Sequence, residues 1–143
     1  MERVVHLLRR LSRLLLLLTI PVLAVCACTP AAPTVIGDPY TPPRHDPPVS
    51  VDGTPEVGWV EVGHRFYVTT WGSSSCPMAP TALVTEGRSL HVAMTGTGGP
   101  DCTADLTGTS YALDVPPGLR GTESLTVVLE MGRAGRFELA LEA

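Results

Sequence analysis

At 143 residues the chain has room for one domain and its appendages. Its ten basic residues are all Arg, set against fourteen Asp and Glu, for a formal net charge of −4. That balance excludes the basic footprint that nucleic acid needs.

The N-terminus, residues 1–27, has three parts. Arg3, Arg9, Arg10 and Arg13 make a basic n-region, Leu14 to Val25 is almost continuously apolar, and small residues and cysteines follow. That is the layout of a secretory signal peptide. A permanent transmembrane anchor is the alternative. The apolar run of about a dozen residues is shorter than the roughly 20 that a spanning helix needs, and Pro21 would kink it.

The segment "VCAC" at the end of the leader resembles a bacterial lipobox, with Cys28 as the modified residue, Ala27 before it and Val25 at its apolar position. Cys26 in the middle is less usual. The resemblance implies a thioether-linked diacylglycerol on Cys28. It also implies anchoring in the lipid bilayer at the extracytoplasmic face of a cell membrane. Each buried methylene contributes about 0.8 kcal/mol, so two or three acyl chains anchor stably. The alternative is soluble secretion. Arg9-Arg10 raises twin-arginine export, but "RRLSRLL" matches that signal poorly and Sec export is the expectation. The leader holds four Arg and one Glu, so six Arg and thirteen acids remain beyond it, about −7. Such a remainder has no basic patch for anionic lipid.

Residues 28–55 read as a lipidated N-terminus followed by a disordered, proline-rich tether. Proline recurs every few residues and no apolar period survives. Proline removes backbone donors and fixes φ, so an extended polyproline-like spacer is expected. His45 and Asp46 fall within it as solvated linker residues.

From residue 56 to residue 143 the pattern changes to strand-like alternation. "EVGWVEV", "HRFYVTTW", "PTALVTEG", "SLHVAMTG", "TSYALDVP", "ESLTVVLEM" and "RFELALEA" each read as a strand. A hairpin is expected around Glu86-Gly87-Arg88. In the last two segments Leu125, Val127, Leu129, Phe137, Leu139 and Leu141 form inward faces. "TGTGGPD", "PPGLRG" and "GRAGR" are turn signals. About seven short strands predict an all-β domain: an antiparallel β-sandwich, Ig-like, or a small barrel.

A domain of roughly 90 residues with few aromatics buries a modest core. A covalent staple is therefore useful, and export delivers the chain to an oxidising compartment. Cys76 and Cys102 are the domain's two cysteines. A Cys76–Cys102 disulfide would close a loop of about 26 residues and stabilise by roughly 3.5 kcal/mol in the loop-entropy account. Two free thiols or a metal pair are the alternatives. The bridge would join the segment after the second predicted strand to the loop before the fifth.

The most chemically suggestive stretch is "WGSSSCPMAPTAL", Trp71 to Leu83. Ser73, Ser74 and Ser75 lack the G-x-S-x-G elbow and its strand-turn-helix setting, and a triad needs a nearby His. The domain's histidines are His64, in a turn, and His91, on the polar phase of a strand. Cys76, followed by Pro77, reads as structural rather than as a reactive thiol. Asp101 and Asp105 read as turn or cap residues; no zinc or calcium spacing is present. "TGTGGP" lacks the Lys-Ser/Thr of a phosphate loop. Trp59 and Trp71 could form a ligand platform, but strand phase favours Trp59 in the core. No catalytic residue, metal or cofactor is expected.

Two resemblances follow. "SSSCP…CTADL", with the leader and the later "LDVPPGL…LTVVL", resembles a group of small uncharacterised actinobacterial lipoproteins. It covers Trp71 to about Leu129 plus the leader. It implies an exported, lipid-anchored β domain, with Cys28 acylated and Cys76 and Cys102 bridged. "CPMAPTALV" is similar to the reactive-site segment of Streptomyces subtilisin-type inhibitors, which implies Met78–Ala79 as the scissile bond of a stapled loop. Those inhibitors also have a second disulfide and a helix, which this domain does not show. The leading expectation is a monomeric, non-enzymatic binding or structural module. Its partner would be a protein or a cell-envelope component, met at Met78 and Ala79 if that loop is presented.

Overall fold

A computed structural model describes residues 32–43 and 53–143. The leader, Cys28, His45 and Asp46 lie outside the described residues. The described chain forms β1 (Asp38–Pro39), β2 (Glu56–Glu61), β3 (Arg65–Gly72), β4 (Met78–Glu86), β5 (Ser89–Gly96), β6 (Thr107–Asp114), β7 (Leu125–Glu130) and β8 (Arg136–Leu141). Short 3-10 turns at Pro117–Leu119 and Gly132–Ala134 join the last strands.

The strands make two four-stranded sheets, ordered β1-β6-β3-β2 and β4-β5-β7-β8. The fold is the expected all-β sandwich, with the seven predicted strands present as β2 to β8. The alternation in the sequence decides which side chains meet between the sheets. Phe66 and Val68 of β3, Leu113 of β6, Leu90 and Val92 of β5, and Val127 and Leu129 of β7 share one buried cluster. Trp59, Leu83, Phe137 and Leu139 pack against it. Each such side chain, fully buried, contributes about 1.5–3 kcal/mol. The six positions read as inward faces, Leu125, Val127, Leu129, Phe137, Leu139 and Leu141, all belong to this cluster or pack against it, because each strand's polar residues fall on the other phase.

One pair departs from an antiparallel pattern. β5 and β7 run parallel, with Leu90 opposite Val127 and Val92 opposite Leu129. After β5 the chain leaves for the other sheet, forms β6, and returns. A returning strand placed beside its predecessor this way runs in the same direction, which is the crossover a parallel pair requires.

The second departure lies in the proline-rich segment. Residues read as part of a free tether form a strap across one edge of the sandwich. Ile36 N–H donates to the Pro80 carbonyl of β4 at 2.9 Å, and Tyr40 N–H donates to the Ser110 carbonyl of β6 at 2.9 Å. Between them β1 pairs antiparallel with β6, Asp38 opposite Ala112 and Pro39 opposite Tyr111. The strap thus bridges the edge strands of both sheets. Pro39 lacks an N–H, which an edge strand tolerates. On the outer face Arg65 forms an ion pair with Asp38, and Asp114 lies 3.6 Å from the same guanidinium. Tyr40 stacks on Tyr67 with ring centroids 5.4 Å apart. Burial is the largest cause raising the Tyr67 pKa, with the Glu56 carboxylate next.

Gly37 makes the strap's turn. Its φ is +77°, and an added Cβ would lie 2.4 Å from the Ala112 carbonyl oxygen. A side chain there is strained by roughly 1–2 kcal/mol from the left-handed backbone alone, before the clash. Gly37→Val is therefore expected to lower the thermal midpoint and to free the strap. Amide hydrogen exchange at Ile36 and Tyr40 should accelerate while the core amides of β3 and β7 stay protected. Unchanged protection at Ile36 and Tyr40 would show that the strap does not depend on this turn.

Candidate functional site

β3 and β6 pair along their whole lengths, from Arg65 opposite Asp114 to Gly72 opposite Thr107. The end of β3 and the start of β6 are therefore neighbours. From that end, residues 73–77 cross to β4 in the second sheet, and residues 97–106 cross back from β5 to β6. These two sheet-crossing connections thus run side by side. Cys76 and Cys102 form the expected disulfide between them, with Cα atoms 5.5 Å apart and a sequence separation of 26.

A polar cluster surrounds the bridge. Thr103 N–H donates to Ser75 Oγ at 2.9 Å. Thr103 Oγ1 donates to Asp105 Oδ1, and Ser73 Oγ lies 2.8 Å from Thr103 Oγ1. Ser74 N–H donates to Asp105 at 3.2 Å, and Thr107 Oγ1 donates to its other oxygen at 3.0 Å. Cys76 N–H closes a turn onto the Ser73 carbonyl at 3.2 Å. Downstream, Thr97 donates to the Pro77 carbonyl from both its N–H and its hydroxyl. Asp105 is the acceptor on which the first crossing, the second crossing and β6 converge.

These donors hold the Asp105 carboxyl well below the usual carboxylate range. The Thr103 hydroxyl is the largest cause, followed by Ser74 and then, more weakly, Thr107. Stabilising the ionised form makes Asp105 a weaker base than an ordinary carboxylate, whereas a general base works best with its pKa near the operating pH. The serines are likewise occupied as bridging groups. Gly98 packs against this cluster. A Cβ there would lie 2.3 Å from the Ser75 carbonyl oxygen and 2.7 Å from Cys76 Sγ.

The histidines stand elsewhere. His64 is exposed in the turn before β3, so the eight residues of that strand, about 25 Å, separate it from the serines. His91 lies on the outer face of the second sheet, with Nε2 3.4 Å from Glu86 and Nδ1 4.0 Å from Glu130. Arg136 lies 3.4 Å from the same Glu130. Among the described residues no group of three or more His, Cys, Asp or Glu is placed to hold a metal ion. Trp59 packs against the core, as strand phase favours. Trp71 points to the opposite face, where its ring lies across Gly108 of β6. The two indoles therefore do not make a shared platform.

Met78 and Ala79 require a correction. The sequence allows them as an outwardly presented loop behind the staple. They are instead the first residues of β4, paired with Gly96 and Thr95 of β5. Ala79 is 0% exposed and Met78 packs against the core. The apolar "MA" pair follows the strand phase, and Pro80 is accommodated at a bulge between Pro80 and Ala82. A scissile bond must be open to a protease cleft, and this one lies inside a β ladder. Asp105 was visible in the sequence only as a turn or cap residue, and nothing there marked Thr103. Their convergence on Ser73, Ser74 and Ser75 depends on the pairing of β3 with β6.

Replacing both cysteines, Cys76→Ser with Cys102→Ser, is expected to lower unfolding free energy by about 3.5 kcal/mol in a denaturant titration. A loss near zero would show that the hydrogen-bonded cluster alone holds the crossings.

Asp105 also predicts an acid response. Its folded-state pKa is depressed, so its stabilising contribution is complete above the unfolded value and fades as pH falls below about 3.9. The thermal midpoint of wild type should fall more steeply below pH 4 than that of Asp105→Asn. Parallel pH profiles would rule out Asp105 as the titrating group.

No protein-family model, curated protein or solved structure matches the chain.

Proposed function

We propose that the chain is an exported lipoprotein of the cell envelope, anchored in the membrane through acylated Cys28. Its β-sandwich serves as a non-enzymatic binding or structural module. The observation that carries this reading is the "VCAC" segment placed directly behind a basic and apolar leader. The disulfide is consistent with export, because an oxidising compartment maintains such a bond. The resemblance of "SSSCP…CTADL" to small actinobacterial lipoproteins points the same way.

The non-enzymatic part rests on how the polar side chains are used. Ser73, Ser74, Ser75, Thr103 and Asp105 bond to one another around the staple, and Asp105 is a weakened base. His91 is engaged with carboxylates on a different surface. The chemistry-bearing residues of the "SSSC" stretch thus act in holding two connections together.

Metabolic labelling with an acyl-chain probe tests the anchor. Wild type is expected to take the label and to fractionate with membranes. Cys28→Ala should lose both properties. Label retained by the variant would overturn the assignment of Cys28.

A further inference from the structure

The outer face of the β1-β6-β3-β2 sheet is built around aromatic rings. Phe66 and Val68 of β3 belong to the core, so the alternate residues Arg65, Tyr67, Thr69 and Trp71 point outward. The same phase turns Gly58 of β2 and Gly108 of β6 outward, opposite Tyr67 and Trp71. A Cβ at Gly58 would lie 2.5 Å from the Tyr67 hydroxyl oxygen, and a Cβ at Gly108 would lie 2.8 Å from the Trp71 ring. Both rings thus lie across the backbone of a neighbouring strand. Tyr40, held by its N–H to the Ser110 carbonyl, stacks on Tyr67. In a chain with only 5% aromatic residues, three rings share one face that would ordinarily be polar. Tyr67 is covered, at 5% exposed, whereas Tyr40 and Trp71 are half-buried and keep part of their surface open to solvent.

Glu56 stands beside these rings. It points outward from β2 opposite Thr69, between the levels of Tyr67 and Trp71. After burial, its carboxylate is the largest cause raising the Tyr67 pKa. Among the described residues Glu56 is the one Asp or Glu that is not exposed, and it belongs to no ion pair. Arg65, the cation of this face, is engaged with Asp38 and Asp114. Taking a carboxylate partly out of water without a counter-charge costs free energy, which an incoming cation offsets. The rings favour the same visitor, because the face of an aromatic ring is its negative side. A planar guanidinium can stack on a ring and hydrogen-bond a carboxylate, which suits this surface better than a compact ammonium.

We propose that this face binds an arginine side chain of a basic partner protein, received by Tyr40, Trp71 and Glu56. The inference deepens the reading of the sandwich as a binding module and rests on it, but not on acylation of Cys28. Charge complementarity supports it on two scales. Asp38, Glu56 and Asp114 outnumber Arg65 on the face, and the whole chain carries a formal charge of −4.

Calorimetric titration of the full chain, purified in a non-ionic detergent, with a short arginine–glycine peptide tests the proposal. Saturable binding that weakens with added salt is expected. Glu56→Gln is expected to weaken it about fivefold, and Tyr40→Leu, which keeps an apolar contact but removes the ring, by a similar factor. Glu138→Gln removes the same charge from the outer face of the other sheet and is expected to change binding by less than about twofold. Equal weakening by Glu56→Gln and Glu138→Gln overturns the site in favour of general acidity. Binding of a neutral glycine–serine peptide, or of a soluble oligosaccharide, that ignores Glu56→Gln overturns the cation while leaving a binding module. No saturable binding of the arginine peptide at millimolar concentration overturns the inference, and acyl labelling of the same preparation reports separately on the lipoprotein.

Discussion

A β-sandwich stays closed only if the connections between its sheets are held. Here two of those connections run side by side at one end, because the antiparallel pairing of β3 with β6 brings the exit of one strand beside the start of the other. The chain crosses to the second sheet through residues 73–77 and returns through residues 97–106. The Cys76–Cys102 bridge joins the two crossings, and Asp105 gathers donors from both. The covalent bond restricts the unfolded chain, while the hydrogen bonds order the folded loops. Neither alone does both. The exposed bonds are individually weak in water, so their value lies in acting on a loop that the disulfide has already brought together.

This arrangement changes the meaning of a serine-rich, cysteine-bearing segment. Side chains with nucleophilic potential are drawn into a structural cluster, and their shared acceptor loses basicity through the same bonds that order the loops. Function is therefore sought on surfaces rather than in a cleft. The outer face of the second sheet carries a charge network of Glu86, His91, Glu130, Arg136 and Glu138. The strap edge carries a smaller one, in which Arg65 lies between Asp38 and Asp114.

The strap shows how a local rule can be overridden. Proline-rich composition favours extended, unpaired chain, and β1 is indeed extended. What the composition cannot express is that an unsatisfied sheet edge lies within reach. Gly37 permits the left-handed turn, Asp38 meets Arg65, and Tyr40 stacks on Tyr67. Each partner lies far along the sequence, so the docking becomes visible only when β3 and β6 are in place.

The acidic balance and the alternation of β2 to β8 were legible in the sequence. They rest on local order and composition, and a strand's inward face follows from a period of two. The disulfide was also legible, since a domain with two cysteines has one pairing to make. Tertiary structure alone decided the parallel β5–β7 pair, the burial of Ala79, the convergence of Ser73, Ser74 and Ser75 with Thr103 and Asp105, and the strap on the β4/β6 seam. These are non-local contacts. They depend on which strands become neighbours, and alternation within one strand carries no information about its neighbour's identity or direction.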